Sequence, residues 1–494
     1  MAAINKKLQI KKVKFSGNIF MLGCGSIAQC TLPLLLKHLD VKPSQITIMD
    51  FTDKKSRISK ELKKGMRYIQ KRLNKKNYQK ILREQLKAGD IFIDLSYGVD
   101  TRALLDWCHK NDVLFVNTAV EHWENVCPST EDPSIHTLYF KQMELCELTK
   151  SWKGKGPTAI IDHGANPGLV SHFTKEALVD IANHLLKHKP KDSRIPGIKM
   201  AMKTNNFAKL AQLLDVKTIH ISERDTQISD KPKQVREFVN TWSVPGFMEE
   251  GVKPAELGWG THEKRLPVGG LEHKKGPRNQ IYLPQRGIKT WVQSWVPSGP
   301  ITGMVIQHGE AFSISRHLTL FQKGKPVYRP TVHYAYCPCD GAINSLHELE
   351  MQHFVPQPNQ RILNDEIISG VDELGCLLMG HDFKSWWIGS LLDIDESRRL
   401  VPHQNATTLQ VAISVVAATV YMIKHPNEGF CAPDDLDYKE ILSIAKPYLG
   451  KFISKPVDWT PMDHFRDINN FNQKVPPKED MWQFTTFLIP PQVL

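Results

Sequence analysis

A short glycine-rich segment near the start of the chain has the spacing needed to hold a pyrophosphate. It reads GCGSIA from Gly23, directly after the apolar residues 18–22 and before an apolar helical run. Gly23 permits the turn out of a strand, Gly25 lets the backbone approach the anion, and the alanine keeps the helix close to the sheet. The helix start, with Ser26 and Ile27, offers free N–H groups and the positive end of a dipole. These four residues are therefore predicted to bind a dinucleotide.

An acidic residue at the end of the next strand selects the kind of dinucleotide. The apolar and β-branched residues 46–49 lead directly into Asp50. A carboxylate at this position accepts hydrogen bonds from both ribose hydroxyls and repels a 2′-phosphate, so Asp50 predicts NAD rather than NADP. Strand, glycines, helix, second strand and acid occur in the order that a Rossmann-type fold requires.

Three further predicted strands extend this pattern to a doubly wound parallel sheet of the α/β class. They cover residues 91–94, 113–117 and 159–162, and helical stretches separate them. Ligands of such sheets bind beyond the carboxyl ends of the strands. The residues that follow these strands are therefore candidates for ligand contact: Ser96, Thr118, Glu121, His163, Asn166 and Pro167. We assign Ser96 and Thr118 to the cofactor.

Acids, aromatic rings and a histidine recur in the second half of the chain, at the ends of predicted strands. The candidates for substrate chemistry are Glu223, Trp242, Glu249 or Glu250, His308 and Glu310. Carboxylates and a histidine can bind amines and transfer protons, and an aromatic face attracts cations. The second half is therefore predicted to form the substrate site.

The elements that must position these residues are predicted to form a mixed or antiparallel sheet in an α+β domain. Short strands are expected at 218–225, 241–244, 303–310 and 311–315. His308 and Glu310 would share one face of a strand, because side chains alternate with period two. The Pro-Gly pair at 245–246 is interpreted as a tight turn, and residues 252–282 as active-site loops or lids.

The sequence shows no motif for a protein-borne nucleophile or a metal. It contains no Ser/His/Asp or Cys/His arrangement, no HExxH and no clustered cysteine–histidine pattern. The nine cysteines are scattered, and the CxC of Cys337 and Cys339 is a weak metal motif. The chemistry is therefore assigned to a nicotinamide, with the protein positioning the substrate and handling protons.

Composition and charge are typical of a folded soluble protein of two or three domains. The chain has 494 residues, of which 41% are hydrophobic and 23% charged. The net charge of +12 arises largely from lysines at the N-terminus and between residues 54 and 87. The second group has a helix-like polar pattern, and we interpret both as solvated surface rather than a nucleic-acid site.

Compartment and membrane class follow from the cysteines and the apolar segments. Scattered cysteines without a disulfide framework, and a start without an apolar secretory segment, favour the cytoplasm. The longest apolar run, 409–423, is shorter than a membrane span requires. We predict that it is a buried helix capped by Asn405 and ended at His425-Pro426, with no membrane segment.

Six motifs together resemble the NAD-dependent homospermidine synthases of bacteria, in the saccharopine dehydrogenase-like group. They lie between about residues 15 and 425 and read GCGSIAQCTLPLLLKHL, NPGLVSHF, ISERDTQ, NTWSVPGF, HGEAFSIS and WWIGS. The resemblance implies that two putrescine molecules give homospermidine and ammonia, with NAD as a bound group that is not consumed. Hydride is taken from a carbon beside one amine, a second diamine replaces ammonia, and the hydride is returned. The resemblance also implies a homodimer.

Residue roles in substrate binding follow from the same resemblance. Trp242 would place its indole face against a cationic amine, which is worth up to about 2 kcal/mol when desolvated. Glu250 would hold a terminal ammonium by a charge-assisted hydrogen bond, and Asp372 would anchor the far ammonium.

The resemblance likewise assigns the residues that act on the reacting amine. Asn166 and Glu223 would hold and polarise it. Glu121, His308 and Glu310 would help with amine binding and proton transfer.

Two other functions remain open at this point. A reductase similar to saccharopine or carboxyspermidine dehydrogenase would need an arginine or lysine for the substrate carboxylate, whereas the strand-end candidates are mostly acidic. A non-catalytic NAD-binding sensor or scaffold, whose basic surface recruits RNA, would give Glu223, Trp242 and His308 no reason to converge.

The predicted architecture has three parts. Residues 1–165 form the Rossmann domain, to which 403–425 return, and residues 166–402 form the α+β substrate domain. Residues 426–494 are expected to be an extension that packs on the surface. The family resemblance does not explain the lysines at the start or the proline-rich tail from residue 473.

Overall fold

Seven parallel strands form the first sheet of the protein. The computed structural model describes residues 10–123, 132–466 and 475–489. In order across the sheet, the strands are Phe430–Cys431, Ala159–Ile160, Leu114–Asn117, Ile91–Asp94, Ile19–Leu22, Ile46–Asp50 and Arg67–Gln70. Every neighbouring pair is parallel. The first six strands in chain order thus have the spatial order 3-2-1-4-5-6, which confirms the predicted Rossmann-type sheet.

The α-helices connect and cover the two main sheets. In chain order they are α1 Ser26–His38, α2 Ser59–Lys63, α3 Tyr78–Gln85, α4 Thr101–Lys110, α5 Leu138–Lys150, α6 Leu169–His188, α7 Ile195–Lys203, α8 Phe207–Leu214, α9 Val244–Val252, α10 Gly309–His317, α11 Asp340–Met351, α12 Ile394–Leu400, α13 Ala406–Lys424, α14 Tyr438–Ala445 and α15 Phe484–Phe487. Two of them, α1 and α13, lie against each other beside the parallel sheet.

Helix α13 confirms the predicted core helix. The Asn405 side chain accepts a hydrogen bond from Thr408 N at 2.7 Å, and this cap satisfies one of the free N–H groups of the first turn. The helix is long and apolar enough to cross a membrane, but 89% of its most apolar window is buried inside the protein. Its composition therefore reflects burial in the core.

The second sheet is mixed, as expected for the α+β part. Its central path runs Leu271–Glu272, Gln280–Arg286, Pro254–Gly258, Thr331–Cys337, Thr218–Asp225, Val371–His381, Lys384–Asp393 and Lys451–Val457, and Gly299–Met304 with Trp291–Val296 joins at Thr331–Cys337. The parallel pair of Thr218–Asp225 and Thr331–Cys337 sets Glu223 beside Tyr336. The remaining strands of the described residues form two-stranded sheets: Val13–Lys14 with Leu39–Asp40, Ile228–Ser229 with Ile367–Ser369, Glu237–Asn240 with Asn359–Ile362, and Leu320–Gln322 with Lys325–Tyr328.

The prediction of a strand at 241–244 and a Pro-Gly turn was wrong. The strand here is Glu237–Asn240, and Pro245 and Gly246 lie in the first turn of helix α9. Ser243 caps that helix by accepting a hydrogen bond from Gly246 N at 3.2 Å. Proline fits the first helical turn because its missing N–H would have had no partner there.

The strands predicted at 303–310 and 311–315 were also wrong. The strand ends at Met304, His308 is the N-cap of helix α10, and Glu310 lies in its first turn. The alternation of polar and apolar residues resembled a strand, but buried tertiary contacts of this segment favour a helix. His308 and Glu310 therefore meet across a helix start and not along a strand face.

Two other segments are more regular than expected. Residues 252–282, predicted to be loops or lids, contain strands Pro254–Gly258 and Leu271–Glu272 and the start of Gln280–Arg286, so they build the edge of the second sheet. The lysine-rich residues 54–87 do not form one continuous helix. Strand Arg67–Gln70 interrupts them, because the parallel sheet accepts it as an edge strand.

The C-terminal part takes part in both sheets instead of only packing on the surface. Strand Phe430–Cys431 completes the edge of the parallel sheet, and Lys451–Val457 pairs with Lys384–Asp393. Phe484 and Phe487 of α15 are fully buried. The first lysines and the start of the proline-rich tail lie outside the described residues. The predicted domain boundaries stay predictions, since one hydrophobic cluster runs through both sheets.

Candidate active site

The glycine-rich turn opens into a cavity of about 680 Å³ at the carboxyl ends of the parallel strands. Gly23 has a φ of +92°, and a Cβ on it would lie 2.5 Å from the Leu95 carbonyl oxygen. A Cβ on Gly25 would meet nothing within 4 Å, so this position faces open space. Helix α1 begins there without a side-chain cap, which leaves N–H groups for a ligand. Six of the predicted cofactor residues line this cavity: Gly23, Gly25, Ser26, Ile27, Asp50 and Ser96.

Asp50 is held as a charged group at one end of this cavity. Its Oδ2 accepts hydrogen bonds from Cys24 N at 2.8 Å and from Lys54 Nζ at 3.1 Å, and Thr52 donates to Oδ1. Burial would raise the pKa of Asp50, but the bonds from these three residues outweigh it and lower the pKa. A carboxylate therefore lies where it can accept hydrogen bonds from the ribose of a bound dinucleotide.

The lysine-rich segment contributes directly to the cavity wall. The cationic residues on the wall are Lys54, Lys71, Arg72, Lys75 and Lys76. The interpretation of this segment as a purely solvated surface was therefore incomplete. These cations would offset the charge of a diphosphate bound in the cavity.

Two smaller cavities lie nearby, of which the outer one adjoins the cofactor cavity and the inner one adjoins the outer one. The outer cavity, of about 420 Å³, is lined by Tyr97, Glu121, His122, Trp123, Met248, Glu249 and Phe354 among others. The inner cavity, of about 40 Å³, is lined by Thr118, Glu121, Lys141, Asp162, Glu250 and His308 among others. Tyr97 and Trp123 are shared by the cofactor and outer cavities, and Glu121 and Glu249 by the outer and inner ones. The predicted cofactor residue Thr118 thus lies on the inner cavity.

His308 lies between two carboxylates at the start of α10. Its Nε2 is 3.1 Å from Glu250 Oε2, and its Nδ1 is 2.9 Å from Glu310 Oε2. Burial would lower the pKa of His308, but Glu310 and Glu250 outweigh it and raise the pKa well above its usual value. The two flanking acidic side chains therefore favour the imidazolium form of the ring. Burial in turn raises the pKa of Glu250 although His308 opposes it.

Glu223 forms a second group of contacts behind the inner cavity. Its Oε2 accepts hydrogen bonds from Tyr334 Oη at 2.5 Å and from Asn166 Nδ2 at 3.1 Å. Burial raises the pKa of Glu223 to about 7. The ring of Tyr334 lies 4.5 Å from that of His308, which links the two groups.

Asp372 lies deeper than the other predicted substrate residues. It is fully buried, and Thr407 Oγ1 donates a hydrogen bond to its Oδ2 at 2.5 Å. Burial, Glu223 and Asp225 raise the pKa of Asp372 well above its usual value. This carboxyl group adjoins Glu223.

Trp242 contacts Tyr336, which in turn stacks on the Tyr334 that binds Glu223. Its Nε1 donates a hydrogen bond to Tyr336 Oη at 2.9 Å, and Tyr336 stacks on Tyr334 with centroids 5.0 Å apart. A Cβ on Gly246, which lines the inner cavity, would lie 3.3 Å from Trp242 Cζ3. The indole thus lies next to Gly246, which is part of the cavity wall, while Trp242 itself does not line the inner cavity.

Helix α5 supplies site residues that the sequence analysis missed. Lys141 Nζ lies 3.0 Å from Glu249 Oε1, and Gln142 Nε2 donates a hydrogen bond to Asp162 Oδ2 at 2.6 Å. Glu256 accepts bonds from the N–H groups of Leu138 and Tyr139 and so fixes the start of α5. No local motif marks Lys141 or Gln142.

Asp162 could have been found from the sequence, since it is the last residue of the strand predicted at 159–162. It has a φ of +54°, in the left-handed region that non-glycine residues seldom adopt. Burial raises its pKa to about 7. The neighbouring candidate His163 is fully buried, and its ring contacts Ser414 and His172. Asp162 therefore faces the site and His163 the core.

The cysteines within the described residues, including Cys337 and Cys339, are free thiols. No group of three or more His, Cys, Asp or Glu side chains that could hold a metal occurs within residues 10–123, 132–466 and 475–489.

Family models and curated relatives match this arrangement along nearly the whole chain. A model of the saccharopine dehydrogenase NADP binding domain matches residues 19–160, and one of the saccharopine dehydrogenase C-terminal domain matches residues 164–457. The chain is 39% identical to a homospermidine synthase of Mesorhizobium japonicum, over 96% of this chain and 97% of the relative. It is 38% identical to one of Blastochloris viridis, over 96% and 98%.

Solved structures agree with the sequence relatives. The homospermidine synthase of Legionella pneumophila, solved in complex with NAD, is 36% identical, with a TM-score of 0.85 over 97% of this chain and 99% of that one. A yeast saccharopine dehydrogenase, at 11% identity and a TM-score of 0.50, shares the fold alone. The chain belongs to the homospermidine synthase family, within the saccharopine dehydrogenase-like group.

Proposed function

We propose that this chain converts two putrescine molecules to homospermidine and ammonia, with NAD as a bound group that is reduced and reoxidised in each cycle. The observation that carries the proposal is the series of carboxylates Glu121, Glu249 and Glu250, which runs from the outer to the inner cavity beside the dinucleotide cavity. Such a series suits a substrate with an ammonium at each end.

The residues of the large cavity fit NAD. The open space at Gly25 and the uncapped start of α1 suit a pyrophosphate, and charged Asp50 suits ribose hydroxyls. A bound nicotinamide would supply the acceptor and donor of hydride. The residues of this chain must then bind the amines, exclude water and move protons.

Substrate binding falls to the acids and the indole. Glu250 would hold one terminal ammonium group. Asp372 lines none of the three cavities and its raised pKa favours the neutral carboxyl group, so its assignment to the far ammonium stays a prediction. Trp242 would offer the edge and face of its indole to a cationic nitrogen at the wall formed by Gly246. The second diamine would enter through the outer cavity, past Glu121 and Glu249.

Proton transfer would use one group that accepts a proton and another that donates one. Glu223, whose pKa is about 7, can accept a proton from the reacting amine near neutral pH, while Asn166 and Tyr334 orient it. His308 is protonated, with Glu310 and Glu250 on either side, and can donate a proton to the departing ammonia. That ammonia leaves only after the second amine has added to the imine carbon, so the new C–N bond forms before the C–N bond to ammonia breaks.

The acidity of the site favours a polyamine over a carboxylate-bearing substrate. Of the described residues that line the inner cavity, Lys141 and His308 could pair with a carboxylate as cations. Both already contact acidic side chains, Lys141 those of Glu249 and Glu121 and His308 those of Glu250 and Glu310. A reductase similar to saccharopine dehydrogenase is therefore disfavoured.

The assay incubates purified protein with putrescine and catalytic NAD. Homospermidine and ammonia should form in equal amounts without accumulation of NADH. Turnover that requires lysine and 2-oxoglutarate instead would contradict the proposal. We also propose a cytoplasmic homodimer; light scattering of the purified protein tests the dimer, and fractionation of the source cells tests the compartment.

A further inference from the structure

We propose that Lys141 is a positioning residue whose fixed positive charge keeps the reacting amine of the substrate uncharged. The inference rests on the proposed function, because it concerns the amine that occupies the inner cavity. It gives a role to a buried cation in a cavity that must bind cations.

Lys141 is held in place from three directions. Its Nζ lies 3.0 Å from Glu249 Oε1, 3.3 Å from the Val120 carbonyl oxygen and 4.0 Å from Glu121 Oε2. The side chain is only 13% exposed. Glu256 fixes the start of helix α5, three residues before Lys141. The ammonium therefore cannot turn away when a substrate enters.

The groups around Lys141 keep it charged. Those on other elements are Glu121, Glu249, Glu250, Asp162 and Glu256, and α5 itself adds Glu144. Burial would lower the pKa of Lys141, but Glu121 and Glu249 outweigh it and raise the pKa above its usual value. His308 is the second cation on the wall of the same cavity. A substrate nitrogen in this cavity would therefore be close to two cations as well as to acidic side chains.

The reaction needs a nitrogen lone pair at two points. Departure of hydride from the adjacent carbon requires one, and so does attack of the second amine on the imine. An alkyl ammonium has a pKa near 10.4, and carboxylates alone would raise it. A cation nearby lowers the pKa of an amine and so frees its lone pair. At about 5 Å and an effective dielectric of about 20 this amounts to about two pH units, of which Glu121, Glu249 and Glu250 on the same wall offset part.

The first test compares pH profiles of kcat for putrescine with NAD-loaded enzyme, because kcat reports the ionisations of the bound complex. In Lys141→Met the acidic limb should move to higher pH by about one unit, with activity recovering at high pH. Lys141→Arg, which keeps the charge, should retain the wild-type limb. Lys150→Met removes an exposed lysine from the end of the same helix and serves as the control. A Lys141→Met profile that falls equally at every pH, or is not shifted, would overturn the inference.

The second test needs no variant and so does not depend on whether Lys141→Met folds. NADH-loaded enzyme cannot oxidise putrescine, so ¹⁵N-labelled putrescine can be titrated in the bound state by NMR. One of its two nitrogens should titrate at least one pH unit below the free diamine. If both titrate at or above the free value, the inference is wrong. Absence of homospermidine in the wild-type assay would instead contradict the proposed function.

Discussion

The Nε2 atom of His308 lies 3.1 Å from Oε2 of Glu250, and its other ring nitrogen lies 2.9 Å from Glu310. The two carboxylates come from different helices, α9 and α10, and only the folded chain brings both to one ring. A neutral imidazole would have a donor for only one of them, so the arrangement itself favours the protonated form.

Replacement of Glu310 by glutamine should weaken His308 as a proton donor. Glu310 is the largest of the contributions that raise the pKa of His308, and its loss should lower that pKa by about one to three pH units. The alkaline limb of the kcat profile should move to lower pH, and the His308 resonances in NMR should titrate earlier. Glu147→Gln, on the exposed side of α5, is the control. An unmoved alkaline limb would remove His308 from proton transfer.

Replacement of Trp242 should weaken binding of the amine substrate without affecting binding of NAD. Trp242→Ala should lower kcat/KM for putrescine about thirtyfold, because a desolvated cation–π contact is worth up to about 2 kcal/mol. Bound NAD, read from the absorbance of the denatured protein, should stay at the wild-type level. Trp242→Phe should recover part of the rate. Equal rates for the alanine variant and the wild type would exclude the contact.

Alanine substitutions at the two glycines of this turn should have different effects, one on NAD binding and the other on stability. In Gly25→Ala the new Cβ enters open space, so the free energy of unfolding of the apo protein should stay within about 0.5 kcal/mol of the wild-type value. NAD should bind more weakly, because the methyl group would occupy space next to the pyrophosphate. In Gly23→Ala the Cβ would meet the Leu95 carbonyl at 2.5 Å in a positive-φ conformation, which should destabilise the protein by about 1–3 kcal/mol. Thermal unfolding and NAD titration measure both. Full NAD affinity in Gly25→Ala would place the pyrophosphate elsewhere.

Asp162 should make stability depend on pH. Burial raises its pKa from 3.8 to about 7, so the folded state binds a proton more tightly than the unfolded one. The stabilising contribution of its protonated form is fully present below about pH 4 and is lost as the pH rises from there through 7, by about 4 kcal/mol. Asp162→Asn does not titrate, so its Tm relative to wild type should rise between pH 4 and pH 7 and then level off. A difference that is constant with pH would contradict the raised pKa.

The elements nearest the cofactor could be predicted from local sequence. Gly23, Gly25 and Asp50 occupy the predicted turn and strand end, because in a βαβ unit short-range geometry fixes the backbone. The segment around His308 could not be predicted in the same way. Its polar alternation suited a strand, but packing against the second sheet makes it the start of a helix.

The sequence alone determined the dinucleotide fold, the capped helix α13 and the kinds of side chain that the site would contain. Each depends on neighbours a few residues apart, which a pattern records. The tertiary structure decided which of those side chains meet. Lys141, Asp162 and Glu249 come from elements far apart in the chain, and only long-range packing places the ammonium of Lys141 among carboxylates. That charge balance depends on distances and burial, which no local spacing encodes.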